Sequence, residues 1–187
     1  DYQGSTGLSG FFLQEESTDE DGNPNTSEGL FVFQGASGTA VNVGDVVRVT
    51  GTVDDFGNGF SSLTELTAVT GVVVVSSGHA LPAPVHVSLP TATVADLEAY
   101  EGMRVAIDTT LTVTDTFTLG RYGDVLLSAD GPGNQPGTDA RLDQYTQFNL
   151  PSASGNAAYQ ATIAPRMLLL DDGSSLQNTD PVAYGRG

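Results

Sequence analysis

Residues 45–53 read Asp-Val-Val-Arg-Val-Thr-Gly-Thr-Val, and this stretch decides the fold class. Most of its side chains branch at Cβ, which restricts their rotamers and favours a pleated strand; the residues concerned are Val46, Val47, Val49, Thr50 and Val53. Because side chains alternate between the two faces of a strand, Arg48 points away from the face that Val47 and Val49 share. The stretch therefore predicts a β-strand with one apolar face.

Similar β-branched and aromatic runs, bounded by Gly, Asn and Asp, predict further strands; they span residues 8–14, 29–34, 63–75, 103–115, 124–129 and 166–170. Only residues 93–100 have the pattern of a helix, with Thr93 as the N-cap and Asp96 in the capping-box position. One short helix among many strands predicts an all-β fold and is typical of a small Greek-key barrel.

The stretch 81–90 contains three prolines, which lack the backbone N–H that a central strand must donate. We therefore predict a stiff connector here, between a first β subdomain at residues 1–80 and a second at residues 91–187.

Beyond Gly131 the chain is rich in Gly, Pro, Asn, Asp and Gln, followed by an Ala, Ser and Asn segment at residues 152–158. This composition predicts a long surface excursion with little structure of its own.

The charge balance is strongly acidic, with 23 acidic residues, 6 basic residues and a formal net charge of -17. Such a surface repels anions and suits salty or calcium-containing surroundings.

The chain has no cysteine, so disulfides and thiolate metal sites are excluded. Apolar runs such as residues 72–75 are far too short to span a bilayer, and we expect no membrane insertion, with any export signal removed or upstream.

The sharpest local signal is the loop 19–28, Asp-Glu-Asp-Gly-Asn-Pro-Asn-Thr-Ser-Glu. Oxygen ligands at alternate positions, with a turn-forming glycine and a later glutamate, are what Ca²⁺ needs from one compact loop; the predicted ligands are Asp19, Asp21, Asn23, Asn25 and Glu28. The glycine is displaced and the glutamate comes too early for an EF-hand. A solvated acidic hairpin loop without a metal is the open alternative.

Other polar groups carry weaker signals. The residues Asp171, Asp172, Asn178 and Asp180 have a similar composition, but a turn after a strand explains them more simply. Asp54 and Asp55 are most simply part of a hairpin turn. His79 and His86 lie in no spacing typical of a metal pair or a nucleophile relay, and we interpret them as surface loop histidines. We find no catalytic site in the sequence.

Several stretches, in this order, resemble the OB-like region that precedes the catalytic domain in secreted bacterial nucleases of the ExeM/NucH type. The first are Gly-Phe-Phe-Leu-Gln at 10–14, Gly-Leu-Phe-Val-Phe at 29–33 and Val-Gly-Asp-Val-Val-Arg-Val-Thr-Gly-Thr-Val at 43–53. Further matching stretches lie at residues 97–103, 119–123, 168–174 and 177–181.

The resemblance implies an OB-like barrel at residues 1–80, while residues 91–187 form either a second such barrel or another β-rich subdomain. It also implies an extracellular, secreted bacterial protein in which this region is a non-catalytic accessory to an endonuclease-like domain. We expect that catalytic domain to lie outside the present sequence, with DNA as a partner through it.

An OB-like barrel also predicts nucleic-acid binding through stacking aromatics and cationic side chains on one sheet face. The candidates are Phe31, Phe33, Phe56, Phe60, Arg48, Arg104, Arg121 and Tyr122. Phe31 and Phe33 share one strand face and are more typical of a core. Excess negative charge opposes phosphate binding, so we expect weak affinity unless calcium or a neighbouring domain offsets it.

Two other functions stay open. The chain is alternatively a structural or adhesive extracellular subunit that assembles with copies of itself into a filament or matrix through sheet edges, with calcium offsetting the repulsion between acidic subunits. A glycan-binding module ranks last, because the sequence lacks tryptophan and its tyrosines form no obvious platform.

Overall fold

The computed structural model describes residues 6–57, 62–131, 141–182 and 184. Most regular structure is β-strand, in three sheets, which confirms the all-β class. The strands are β1 (Gly10–Gln14), β2 (Gly29–Phe33), β3 (Val46–Phe56), β4 (Leu63–Ser76), β5 (Val85–Val87), β6 (Val105–Ile107), β7 (Thr112–Asp115), β8 (Val125–Ser128) and β9 (Met167–Leu170). The described strands form no closed barrel.

Helices are more numerous than the sequence predicts. The part of the chain that the structure describes contains three α-helices, α1 (Leu119–Tyr122), α2 (Tyr145–Phe148) and α3 (Ala153–Ile163), and two 3₁₀ helices, Val94–Tyr100 and Ala164–Arg166. Val94–Tyr100 confirms the predicted helix, and Asp96 Oδ2 accepts the Thr93 N–H at 2.7 Å, as a capping-box residue does. None of the helices in the described ranges has the length and apolar character needed to cross a bilayer.

The chain divides into two compact units that are not contiguous in sequence. The first consists of Asp1–Val85, Leu97–Ala106 and Gly173–Leu176, and the second of His86–Asp96, Ile107–Asp172 and Gln177–Gly187. Residues 97–106 and 173–176, which the sequence analysis assigns to the second subdomain, thus belong to the first unit.

The first unit contains a mixed four-stranded sheet in the order β1-β2-β4-β3. β1 is antiparallel to β2, β2 is parallel to β4, and β3 is antiparallel to β4. Its core centres on β2, where Val32 is fully buried and Phe31 is 3% exposed. The ring of Phe31 lies 4.9 Å from that of Phe12 on β1, between centroids. Burial confirms the core assignment for Phe31, whereas Phe33 is half exposed.

A close backbone approach in this unit explains two glycines. Gly102 has a φ of +67°, and a Cβ atom on Gly29 would meet its carbonyl carbon at 2.4 Å. Beside this contact, the hydroxyl of Ser27 donates a hydrogen bond to the C=O of Glu101. Side chains at positions 29 or 102 would force the segment 97–103 away from β2.

The second unit contains the antiparallel sheet β7-β8-β9, in which Val125 and Ser128 of β8 are buried. Arg166, directly before β9, is fully buried, and its C=O accepts the N–H of Ala129 at 2.9 Å. Loss of solvation lowers the pKa of Arg166, while the Asp130 carboxylate acts in the opposite direction. The sequence gives no indication of this buried cation.

The later part of the chain contains a strand and a helix at places where the sequence analysis predicts neither. The proline stretch 81–90 contains β5, which is possible because a two-stranded sheet such as β5-β6 has only edge positions. The segment 152–158 is not loop but the start of α3, whose N-cap, Ser152, accepts the Gly155 N–H at 3.1 Å. The N-cap and the alanines, which lose no side-chain entropy, stabilise the helix by more than the glycine and the asparagine destabilise it.

Replacing Val32 with alanine is expected to destabilise the chain by roughly 2 to 3 kcal/mol, because the vacated space lies in a fully buried part of the sheet. The matched control is Val75→Ala on β4, where the side chain is 56% exposed and the change should stay within about 0.5 kcal/mol. Urea unfolding of both variants checks this, and equal losses would contradict the placement of β2 in the core.

Replacing Ser152 with alanine is expected to destabilise α3 by about 1 kcal/mol, because the helix loses the oxygen that accepts the Gly155 N–H. Ser152→Asp supplies an equivalent acceptor and should retain the helix. Circular dichroism during urea unfolding compares the two variants. A Ser152→Ala chain as stable as the Ser152→Asp chain would contradict the capping role.

Candidate functional site

The predicted calcium loop connects β1 to β2 and is held by its own side chains. Asp21 Oδ1 accepts the Asn23 N–H at 2.6 Å, and Asn23 Oδ1 accepts the Asn25 N–H at 3.1 Å. Glu28 Oε1 accepts the Asp21 N–H at 3.3 Å, so the loop is closed between Asp21 and Glu28. Four of the five predicted ligands are thus brought together, while no described hydrogen bond joins the Asp19 carboxylate to them.

The surroundings within this loop shift the pKa values of Asp21 and Glu28 in opposite directions. The backbone hydrogen bond from Asn23 lowers the pKa of Asp21, whereas loss of solvation raises the pKa of Glu28, with a further rise from the Asp21 charge. In the described residues, no group of three or more His, Cys, Asp or Glu is placed for a metal ion. The donor set is nevertheless made of carboxylate and amide oxygens, which match Ca²⁺ chemically.

The second acidic group surrounds Tyr184. Its hydroxyl donates to the C=O of Gly123 and, at 2.9 Å, to that of Leu170. Loss of solvation raises the pKa of Tyr184, and the Asp171 and Asp172 carboxylates raise it further. Asp172 lies so close to Gly123 that a Cβ there would approach its Oδ2 to 2.5 Å. These two acids directly follow β9.

The proposed nucleic-acid residues are distributed over different elements. Arg48 lies on β3 and Arg104 precedes β6, where its Nη1 donates to the C=O of Pro82 at 3.1 Å. Arg121 and Tyr122 lie in the second unit, in the single helical turn α1. The Arg121 guanidinium lies 4.9 Å from the Tyr122 ring centroid and its Nε donates to Gln177 at 2.9 Å. Phe60 lies outside the described residues.

Both histidines lie at the surface and form local pairs. His79 Nε2 lies 2.9 Å from the hydroxyl of Ser76, and His86 Nδ1 lies 2.7 Å from Asp108 Oδ1. His86 belongs to β5, not to a loop as the sequence analysis predicts.

An acid pair on the β3-β4 ladder has no signal in the sequence. Asp54 and Asp55 lie within β3, not in the hairpin turn to which we assign them, because the strand continues to Phe56. In the antiparallel register Asp54 lies opposite Glu65, which is only 8% exposed. Loss of solvation raises the pKa of Glu65, and the Asp54 charge raises it further. Only the strand register, which sequence spacing does not show, brings these two acids together.

The β3-β4 ladder also carries exposed apolar side chains. Val53 and Phe56 on β3 are 65% and 71% exposed, and Val73 and Val75 on β4 are 57% and 56% exposed. β3 is an end strand of its sheet, so within the described ranges its second edge has no strand partner. A long edge strand with exposed apolar side chains can pair with a strand of another chain.

A small depression of about 250 Å³ lies beside the start of β1. It is lined by small or uncharged residues, Ser9, Gly10, Gln34, Gly35, Ala36, Gly38 and Ala40. It therefore offers no charged group for chemistry.

Comparison with protein-family models, curated proteins and solved structures finds no significant match to this chain.

Because of Glu65, the stability of the folded chain should decrease as the pH rises. The carboxyl has its ordinary pKa of 4.5 when unfolded and a higher one when folded. Between these values the unfolded chain releases its proton first, so stability is lost as the pH rises through this interval and then stays constant. Glu65→Gln should therefore melt higher than the wild type near pH 7 and show no such gain below the ordinary pKa.

Thermal unfolding across this pH range measures the effect. The control is Glu20→Gln, an exposed loop position in the same unit, whose melting curve should follow the wild type. A Glu65→Gln chain that keeps the wild-type pH dependence would show that this carboxyl is not the group responsible.

Proposed function

We propose that the chain is a non-catalytic accessory region of a secreted, nuclease-like extracellular bacterial protein, built on an OB-like barrel and stabilised by calcium. The observation that carries the proposal is the β1-β2-β4-β3 sheet with its structured acidic loop. An OB fold is a five-stranded, partly open barrel. Four strands with one parallel pair, β2-β4, are compatible with such a barrel in which one strand position remains to be filled.

Calcium supports this function through the loop 19–28. Asp21 and Glu28 are already joined through the Asp21 N–H, and Asn23 is held by Asp21. A cation among these oxygens would replace internal hydrogen bonds with ion–oxygen contacts and relieve the repulsion that the Asp21 charge exerts on Glu28. Because the formal net charge is -17, a bound cation also reduces the self-repulsion of the folded chain.

Nucleic acid would be positioned by this region with modest affinity. Arg48 is exposed on an edge strand, and Arg121 stacks on Tyr122, an arrangement that offers a cation and a ring to a base. The overall acidity opposes phosphate binding, so affinity depends on calcium or on the parent nuclease domain.

A calcium titration of the full chain tests the proposal. Calcium that binds only the folded state should raise the melting temperature, by an amount that grows with the logarithm of its concentration, and should leave the particle mass unchanged. The variant Asp21→Asn, combined with Glu28→Gln, should lose this response.

The matched control is Asp171→Asn with Asp172→Asn, which removes two acids that act on Tyr184 and should retain the response. No rise in the wild-type melting temperature would remove calcium from the proposal. A calcium-driven growth in particle mass would favour assembly instead.

The second candidate function is that of a self-assembling structural or adhesive subunit. The exposed apolar side chains on the β3-β4 ladder favour it, as does the edge of β3, which pairs with no other strand in the described ranges. On this proposal, copies of the chain associate through sheet edges, and the resemblance to nuclease regions reflects shared architecture.

A further inference from the structure

The backbone of β3 presents hydrogen-bonding groups to the edge that has no partner among the described strands. The C=O groups of Thr50 and Thr52 accept hydroxyl donors from Thr70 and Thr67 of β4, at 3.4 and 3.3 Å. These carbonyls therefore face β4. Because backbone groups alternate between the two edges of a strand, the opposite edge carries the N–H and C=O groups of Val49, Gly51 and Val53.

The side chains along this edge are arranged almost palindromically. Residues 48–54 read Arg-Val-Thr-Gly-Thr-Val-Asp, with Gly51 at the centre. Valine and threonine repeat on both sides of it, and the ends carry opposite charges. An antiparallel strand with the same sequence would therefore meet like residues in the middle and an opposite charge at each end.

We propose that two copies of this chain associate edge to edge through β3, antiparallel and centred on Gly51. In this register Val49 lies opposite Val53 of the second copy, and both present backbone groups to the shared edge. Arg48 lies opposite Asp54 of the second copy, and two-fold symmetry repeats the pair. Thr50 lies opposite Thr52 of the second copy.

The charges along this edge favour a second copy of the chain as its partner. Two chains of net charge -17 repel each other, so association requires local complementarity. The exposed Arg48 side chain makes no ion pair with any described residue, whereas Asp54 already lies opposite Glu65. An arginine from a second copy would neutralise the more exposed member of this acid pair.

The same pattern fixes the register. A shift by two residues in either direction places Arg48 opposite Thr52 or Phe56, and it separates Val49 from Val53. In the proposed register Val46 also meets Phe56 of the second copy, which covers a side chain that is 71% exposed in the single chain. Opposite charges, threonines and apolar residues directly across a ladder are favourable cross-strand pairs.

The test is a charge swap read by sedimentation equilibrium. Wild-type chain should form a concentration-dependent dimer, while Arg48→Asp alone and Asp54→Arg alone should each raise the dimer dissociation constant by about tenfold or more. Mixing these two variants should restore dimers, because one chain then carries acids at both ends and its partner carries arginines. Arg121→Asp, at an exposed arginine in the other unit, is the control and should dimerise as the wild type does.

The inference rests on the self-association proposed above, and the outcomes separate the two. A wild-type chain that stays monomeric at every concentration would overturn both. Association that is unaffected by either single variant would overturn only this interface and leave self-association through another surface. Because the mixed variants must fold in order to pair, rescue on mixing also excludes misfolding as the reason for the loss.

Discussion

The parallel pairing of β2 with β4 is the constraint on which the first unit depends. It places Phe31 beside Glu65 and Val32 beside Leu66, and so it buries the apolar centre of β2 between strands that are distant in sequence. A parallel pair cannot be joined by a tight hairpin and needs a crossover. β3 therefore lies on the far side of β4, and β1 and β3 become the two ends of the sheet. The same pairing carries Glu65 into a buried position.

The strands were predictable from sequence because their β-branched runs are local signals. The β3 stretch around Val49 and the β2 stretch around Val32 both appear where the residue pattern predicts them. Residues 103–115 form two strands instead of one, since the chain turns where Thr109 Oγ1 accepts the N–H of Leu89 at 2.9 Å and donates to its C=O. Helix α3 does not follow from the sequence because its composition resembles that of a loop, and only the Ser152 cap distinguishes it.

The candidate sites also differ in whether they are formed by residues close together in sequence or by residues that are far apart in it. The acidic loop is contiguous, so its position and most of its mutual contacts follow from the spacing of Asp21, Asn23 and Glu28. The Asp54 and Glu65 pair depends on ladder register, and the burial of Arg166 depends on packing in the second unit. Neither could be derived from composition or spacing, because each joins segments whose relative placement the sequence does not specify.

The negative charge of the chain restricts how the exposed edge of β3 can pair with another strand. Exposed edges invite indiscriminate pairing, and strong like charge on every copy of a chain opposes it. With a formal net charge of -17, pairing is confined to edges whose local charges cancel. The Arg48 to Asp54 segment is such an edge, since it carries one charge of each sign around a neutral centre. The general repulsion would then give specificity, because it penalises every register that leaves Asp54 without a cation.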